Sequence, residues 1–251
     1  NKFDFTKKDE TIYFINNKVI KFFSNNSISR KRYIKSLSNL IVFPKCEIIN
    51  NFYYYKFIKG KILYKIINPT IFKLLLKFLE KSLWKKKAIN SLEFEKSCNN
   101  FYYKKTIDRI NSFKKKYPNF SIKKINNKKT FQINNLLKKI NWKNITNGIP
   151  SFIHGDLQFD NIVLNNKNNF KLIDWRHSFD KLITTGDLYY DLSKMYGGLI
   201  IDYSEIKNNN FKFKEKKGII SIDLTYKKRT DKLLKIYENY ILNKKLDLNK
   251  V

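Results

Sequence analysis

The chain has 251 residues, with 52 Lys and Arg against 21 Asp and Glu, a formal net charge of +31. Its hydrophobic fraction of 42% and aromatic fraction of 16% exclude a disordered tail, since a chain this long typically buries about 70–75% of its unfolded surface. No run approaches roughly 18 uninterrupted apolar residues, which argues against a transmembrane helix, and Asn1-Lys2-Phe3-Asp4-Phe5 lacks the apolar stretch of a secretory signal.

The first sixty residues read as strands around a single helix. Thr11–Ile15 and Val19–Phe23 are runs of β-formers on either side of Asn16-Asn17-Lys18, a hairpin pattern. Residues 27–42 predict a helix capped by Ser27 or Ser29, with Tyr33, Ile34, Leu37, Leu40 and Ile41 on its apolar face. Cys46–Ile49 and Phe52–Ile58, separated by Asn50-Asn51, predict a second hairpin that Gly60 ends. The pattern then turns helical. Asn68-Pro69 supplies a cap and a first-turn proline for a helix to about Lys85, and further helices are expected over 94–116 and 130–140. Beyond the segment 150–176 come a helix from about Asp187 to Gly197, a polar loop around Asn208-Asn209-Asn210, and a last helix from about Lys227 to Asn243.

The charge invites a nucleic-acid reading, because a basic surface binds phosphates. Yet the basic residues are spread along the whole chain, and Lys, Asn, Ile, Phe and Tyr all have A/T-rich codons. Nucleic acid is therefore set aside as the primary partner, while an anionic small ligand or peripheral contact with an anionic membrane fits the same charge. The two cysteines, Cys46 and Cys98, and the two histidines lack zinc-site spacing, and a reducing cytoplasm is the expected setting. The sequence has neither an initiator methionine nor a terminating signal, so it is read as open to being a segment of a longer protein. Oligomeric state is not legible.

The segment 150–176 carries the chemistry. His154, Asp156 and Asn161 lie in one short stretch; Ile162-Val163-Leu164 leaves it as a strand, Asn165–Asn169 turns, and Phe170–Ile173 returns to end on Asp174. Two strands of similar length joined by a turn bring Asp174 back beside Asn161. Two carboxylates and an amide oxygen in one crevice are hard oxygen ligands of the kind Mg²⁺ takes together with substrate phosphates. A carboxylate left over can orient a hydroxyl and accept its proton, which is the equipment of phosphoryl transfer.

His154-Gly155-Asp156 with Asn161, followed by Ile173-Asp174-Trp175, resembles the signature of the aminoglycoside phosphotransferase and choline kinase family. The resemblance covers about residues 150–195 and implies an α+β, protein-kinase-like two-lobed fold. A small antiparallel β lobe with one helix would span 1–58, and a larger, mainly helical lobe 59–251. It implies Asp156 as catalytic base, Asn161 and Asp174 as Mg²⁺ ligands, and His154 as organiser of the loop. Asp191, in a later Asp-Leu motif, would brace that loop or simply sit at a helix N-terminus. Lys21 stands where the family's phosphate-contacting lysine would be, with Lys18 as fallback. Phe57 and Ile58 stand where the strand and hinge pair with adenine.

Two departures stand out: residues 27–42 hold no Glu or Asp to pair with that lysine, and no glycine precedes Gly60. Arg176 follows Asp174-Trp175 where the family commonly has Glu, which disfavours a cationic acceptor and favours a neutral or anionic one. Trp175, Tyr189 and Tyr190 are candidates for an aromatic wall at the acceptor, or for core packing. The expected activity is ATP- and Mg²⁺-dependent phosphorylation of a hydroxyl on a small molecule, such as a sugar, an amino alcohol or an aminoglycoside-like compound. The alternatives are a non-catalytic nucleotide- or polyanion-binding module and, further off, a protein kinase.

Overall fold

Residues 9–224 and 229–251 are described by a computed structural model of the protein. β1 (Glu10–Ile15) and β2 (Lys18–Phe23) form the expected hairpin. Its turn places Asn16 and Asn17 at φ of 47° and 58°. Asn tolerates this left-handed backbone because its short polar side chain bonds locally, so the turn forms without glycine. α1 (Asn26–Leu37) follows, capped by the Asn25 side chain on the Ser27 N–H rather than by Ser27 or Ser29. β3 (Cys46–Ile49) and β4 (Phe52–Lys56) complete an antiparallel sheet of order β1-β2-β4-β3, and α1 packs across β3 and β4.

The buried face of α1 is not the apolar one. Ser29, Arg32, Lys35 and Ser36 are buried, while Ile34 and Leu37 are exposed, and the helix ends before Leu40 and Ile41, which are exposed too. The reason lies under the helix: carboxylate and carbonyl groups there need cationic partners, and satisfying buried polar groups outweighs hiding two aliphatic side chains.

The chain leaves this sheet after Lys56. Gly60 does not end the hairpin; it opens β5 (Gly60–Ile62), which pairs antiparallel with a strand a hundred residues downstream. Then come α2 (Leu63–Ile66) and α3 (Pro69–Ser82), the latter capped by Asn68 with Pro69 in its first turn. α4 (Ser91–Asn99) and α5 (Lys105–Lys116) are joined by a π-helical turn, Asn100–Lys104, so the predicted helix over 94–116 is one rod with a local bulge. β6 (Lys124–Ile125), β7 (Lys128–Lys129), α6 (Ile133–Lys139) and α7 (Trp142–Thr146) lead to β8 (Pro150–Ser151).

After a 3₁₀ turn at Phe159–Asn161, β9 (Ile162–Asn165) and β10 (Phe170–Leu172) form the second expected hairpin, in a sheet of order β10-β9-β5. β11 (Gly186–Asp187) pairs with β8 and feeds α8 (Leu188–Ile200), which α9 (Tyr203–Lys207) follows. The expected polar loop is shorter than the sequence suggested, because β12 (Phe211–Lys216) and β13 (Ile219–Leu224) form a hairpin after it. With β6 and β7 they make a fourth small sheet.

α10 (Arg229–Asn243) packs on α8 and α3; the expected helix start at Lys227 lies outside the described residues. The main core runs from the first sheet through Trp175 to α3, α8 and α10. Among the described residues no helix is long and apolar enough to cross a membrane.

Candidate active site

The loop between β8 and the 3₁₀ turn is held from beneath by a buried carboxylate. Asp191 on α8 accepts the backbone N–H groups of His154 and Gly155, each at 2.7 Å, and the Trp84 indole N–H at 3.2 Å. Burial pushes its pKa upward, and the bonds it accepts only partly offset that. The pairing of β8 with β11 brings these two chain segments together, since Gly186 lies opposite Ser151.

His154 is fully buried, and burial holds its pKa down to about 4. The neutral ring is used at both nitrogens: Nδ1 accepts the Asp156 N–H at 3.2 Å, and Nε2 donates to the Ile173 carbonyl at 2.9 Å. Gly155 sits at φ +85°, and a Cβ there would lie 2.7 Å from the Arg176 Cβ, so the sequence needs glycine on both counts.

Asp156, Asn161 and Asp174 converge. The Asn161 Nδ2 donates to the Asp156 carbonyl at 2.9 Å and lies 3.4 Å from its carboxylate. The Ile173 N–H donates to the Asn161 carbonyl at 2.9 Å, extending the β9–β10 register and setting Asp174 next to Asn161. Asp174 itself is at φ +56°, an uncommon backbone state that the closure of the hairpin onto the loop maintains. Lys194 on α8 forms an ion pair with Asp156 at 2.9 Å, and the Gln158 amide reaches the same oxygen at 3.3 Å.

Lys21, only 3% exposed, projects from β2 into this crevice and meets the Asp174 Oδ1 at 2.7 Å and Glu10 of β1 at 3.6 Å. Arg32 of α1 bonds the same Asp174 oxygen and the Tyr53 hydroxyl. Burial alone would raise the Asp174 pKa, but Arg32 and Lys21 outweigh it and hold the carboxyl far below the usual carboxylate range. Lys35, one turn on, donates to the carbonyls of His154 at 3.3 Å and Arg176 at 3.1 Å, and burial lowers its pKa.

Several expected residues lie elsewhere. Trp175 is fully buried against Phe43, Tyr53 and Tyr55, with its N–H on the Arg32 carbonyl, so it takes the core role rather than forming a wall. Tyr189 is also buried. Phe57 and Ile58 follow β4 as a connection, where the Phe57 N–H donates to the Asn17 carbonyl at 2.8 Å. Lys18 stands outside the crevice over the Tyr54 ring.

Sequence reasoning missed Arg32, Lys35, Lys194 and Glu10. The spacing of Ser29, Arg32 and Ser36 along one helical face was the available signal, hidden because an apolar face was sought.

The donor set fits Mg²⁺. Asp174 keeps Oδ2 apart from its two cations, which both take Oδ1. The Asn161 Nδ2 is held by Asp156, which leaves its amide oxygen as the ligand end. No group of three or more His, Cys, Asp or Glu gathers as a metal cluster among the described residues, so phosphates and water would complete the shell, as Mg²⁺ ordinarily allows.

No protein-family model matches the chain, and no curated protein matches it. Among solved structures it is similar to an ethanolamine kinase from Plasmodium vivax, at 17% identity and a TM-score of 0.44, over 78% of this chain and 63% of that one. It is also similar to a choline kinase from Streptococcus pneumoniae, at 12% identity and a TM-score of 0.40, over 99% of this chain and 87% of that one. The match spans less than two thirds of the ethanolamine kinase.

Proposed function

We propose that the chain is an ATP- and Mg²⁺-dependent phosphotransferase that acts on a hydroxyl of a small molecule, in a cytoplasmic setting. A single observation carries this reading: Asn161 bonds Asp156, the Ile173 N–H on the Asn161 carbonyl sets Asp174 beside it, and the buried cations Lys21 and Arg32 bond Asp174. That combination brings together oxygen ligands for a metal, buried positive charge for phosphates and a further carboxylate for the acceptor. On this reading the β1–β4 sheet with α1 is the nucleotide lobe, residues 1–58, and residues 59–251 form the catalytic lobe of a protein-kinase-like fold.

Each residue has a distinct task. Asp156 orients the acceptor hydroxyl and takes its proton as the hydroxyl oxygen bonds to the terminal phosphorus; the bond from that phosphorus to the bridging oxygen breaks, and the nucleoside diphosphate leaves with the electron pair. Asn161 and Asp174 would hold the metal, which when bound neutralises charge on the phosphate oxygens. Lys21 supplies a fixed cation at the phosphates, and α1 contributes the cation Arg32 rather than the acidic residue that the resemblance leads one to expect there. Arg32 keeps Asp174 ionised and aimed, while Glu10 provides the carboxylate for Lys21 from β1 instead. Asp191 and His154 fix the loop, so that Asp156 is pre-positioned before substrate arrives.

Acceptor-dependent formation of nucleoside diphosphate, measured for the wild type and Asp156→Asn, tests the assignment. Turnover should fall about 10³-fold in the variant, the usual scale of positioned acid–base catalysis. Turnover that survives the substitution would refute it.

A further inference from the structure

The residue that follows Trp175 has its own chemistry. Arg176 lies along Gly155, with its Nε on the Gly155 carbonyl at 3.3 Å and a terminal nitrogen 3.4 Å from the Tyr190 hydroxyl. Its guanidinium stands over the Phe101 ring at 5.2 Å and the Tyr190 ring at 5.7 Å. The Lys105 ammonium lies 4.1 Å from the centre of the same Phe101 ring, and Lys194, on Asp156, is 5.9 Å from Tyr190. The two rings meet edge to face at 4.9 Å. Three cations thus surround one aromatic corner beside Asp156.

The corner is built by the π-turn at Asn100–Lys104. A π-turn inserts an extra residue into a helix, and such bulges recur at functional sites. Here it turns Phe101 inward while Lys105 opens the next helical stretch. Lys105 also lines an adjoining open cavity of about 710 Å³, whose wall carries Lys96, Lys104 and Arg109 against Asp108 and Asp180.

The positive charge is not taken up by ion pairing. Among the described residues none forms an ion pair with Arg176 or Lys105, and Asp156 is the carboxylate paired with Lys194. Burial and the neighbouring cations Arg176, Arg109 and Lys194 push Lys105 down to about 8, the response of an ammonium that is half-buried among like charges. At the corner itself Arg176, Lys105 and Lys194 face the Asp156 carboxylate, an excess of positive charge that a phosphomonoester dianion complements. A guanidinium standing over aromatic rings offers planar N–H donors of the kind phosphate oxygens accept.

We propose that the corner formed by Arg176, Lys105, Lys194, Phe101 and Tyr190 is the acceptor subsite, and that it takes a small polyol already carrying a phosphomonoester. The phosphate sits among the cations, the carbon chain lies on the rings, and a free hydroxyl reaches Asp156. This rests on the phosphotransferase reading for the identity of the reaction, but the anion site stands on its own geometry.

The test is nucleotide turnover with hexose monophosphates, the matching neutral hexoses, choline and ethanolamine, for the wild type, Arg176→Gln and Lys105→Gln. Calorimetric titration of glucose 6-phosphate without nucleotide runs alongside. The expected result is preference for the phosphorylated acceptors, with their KM raised about tenfold more than the KM for neutral hexoses in each variant. Lys105→Gln lies away from the loop backbone and keeps the test valid if Arg176→Gln fails to fold. Turnover that is best with choline, ethanolamine or a neutral hexose overturns the subsite while leaving phosphotransfer standing. If no acceptor turns over, the phosphotransferase reading falls, and the titration decides the subsite: binding lost in the variants supports it, and no binding to the wild type overturns it.

Discussion

Asp191 is fully buried on α8, and its two oxygens hold the backbone N–H groups of His154 and Gly155 as well as the Trp84 indole. Asp191→Ala would leave all three donors unpaired in the interior. Removing one side of such a network typically costs about 3–5 kcal/mol, so the urea midpoint should fall steeply. A loss below about 1 kcal/mol would show that the loop does not depend on this carboxylate. His177 supplies a test in pH. Burial, with Arg32 and Arg176 nearby, lowers its pKa from 6.5 to about 4 in the folded chain. Between those values the unfolded chain binds the extra proton, so this imidazole lowers stability as pH falls through 6.5 toward 4. Asp187 and Asp191, pushed upward by burial, act in the opposite sense over the acid part of that window, so the wild-type slope alone is not diagnostic. The difference between His177→Gln and wild type is: the variant should gain about 1 kcal/mol relative to wild type on going from pH 7 to pH 5, after allowance for solvent screening. A difference independent of pH would contradict the neutral, half-buried imidazole.

At the scale of elements, Gly60 opens β5 so close to β9 that a Cβ would lie 2.4 Å from the Leu164 carbonyl oxygen and 2.8 Å from the Asn165 Cα. Gly60→Ala must therefore push the two strands apart, at a cost of about 1–3 kcal/mol. Unfolding followed by denaturant should show the loss, and an unchanged midpoint would mean that β5 is not held there. What could be read from sequence follows from range. The β1–β2 and β9–β10 hairpins, the Asn68-Pro69 helix start and the approach of Asp174 to Asn161 are set by neighbours within about twenty residues, and local patterning shows them. The β5–β9 pairing joins residues a hundred apart, and no local signal marks it. α1 failed for a different reason: its buried face is polar because the opposing surface carries Asp174 and two loop carbonyls, so the rule that apolar faces turn inward pointed to the wrong side. The β12–β13 hairpin had a usable signal, the alternation Phe211-Lys212-Phe213-Lys214 ahead of a Lys217-Gly218 turn, which the Asn-rich stretch before it obscured.

For the molecule as a whole, the question is what a net charge of +31 means for the site. Charge spread over the surface attracts any polyanion, needs no metal and is strongly screened by salt. The crevice differs in kind: its cations Lys21 and Arg32 are buried and bonded to Asp174, and on the proposed reading they serve a ligand that brings a metal and phosphates to the same point. Calorimetric titration of ATP, with and without Mg²⁺, into wild type and Asp174→Asn separates the two. The account predicts Mg²⁺-dependent binding by the wild type that survives a rise in salt and weakens at least tenfold in Asp174→Asn. Binding that needs no Mg²⁺, is indifferent to Asp174→Asn and collapses as salt rises would contradict it, and would make the chain a polyanion binder.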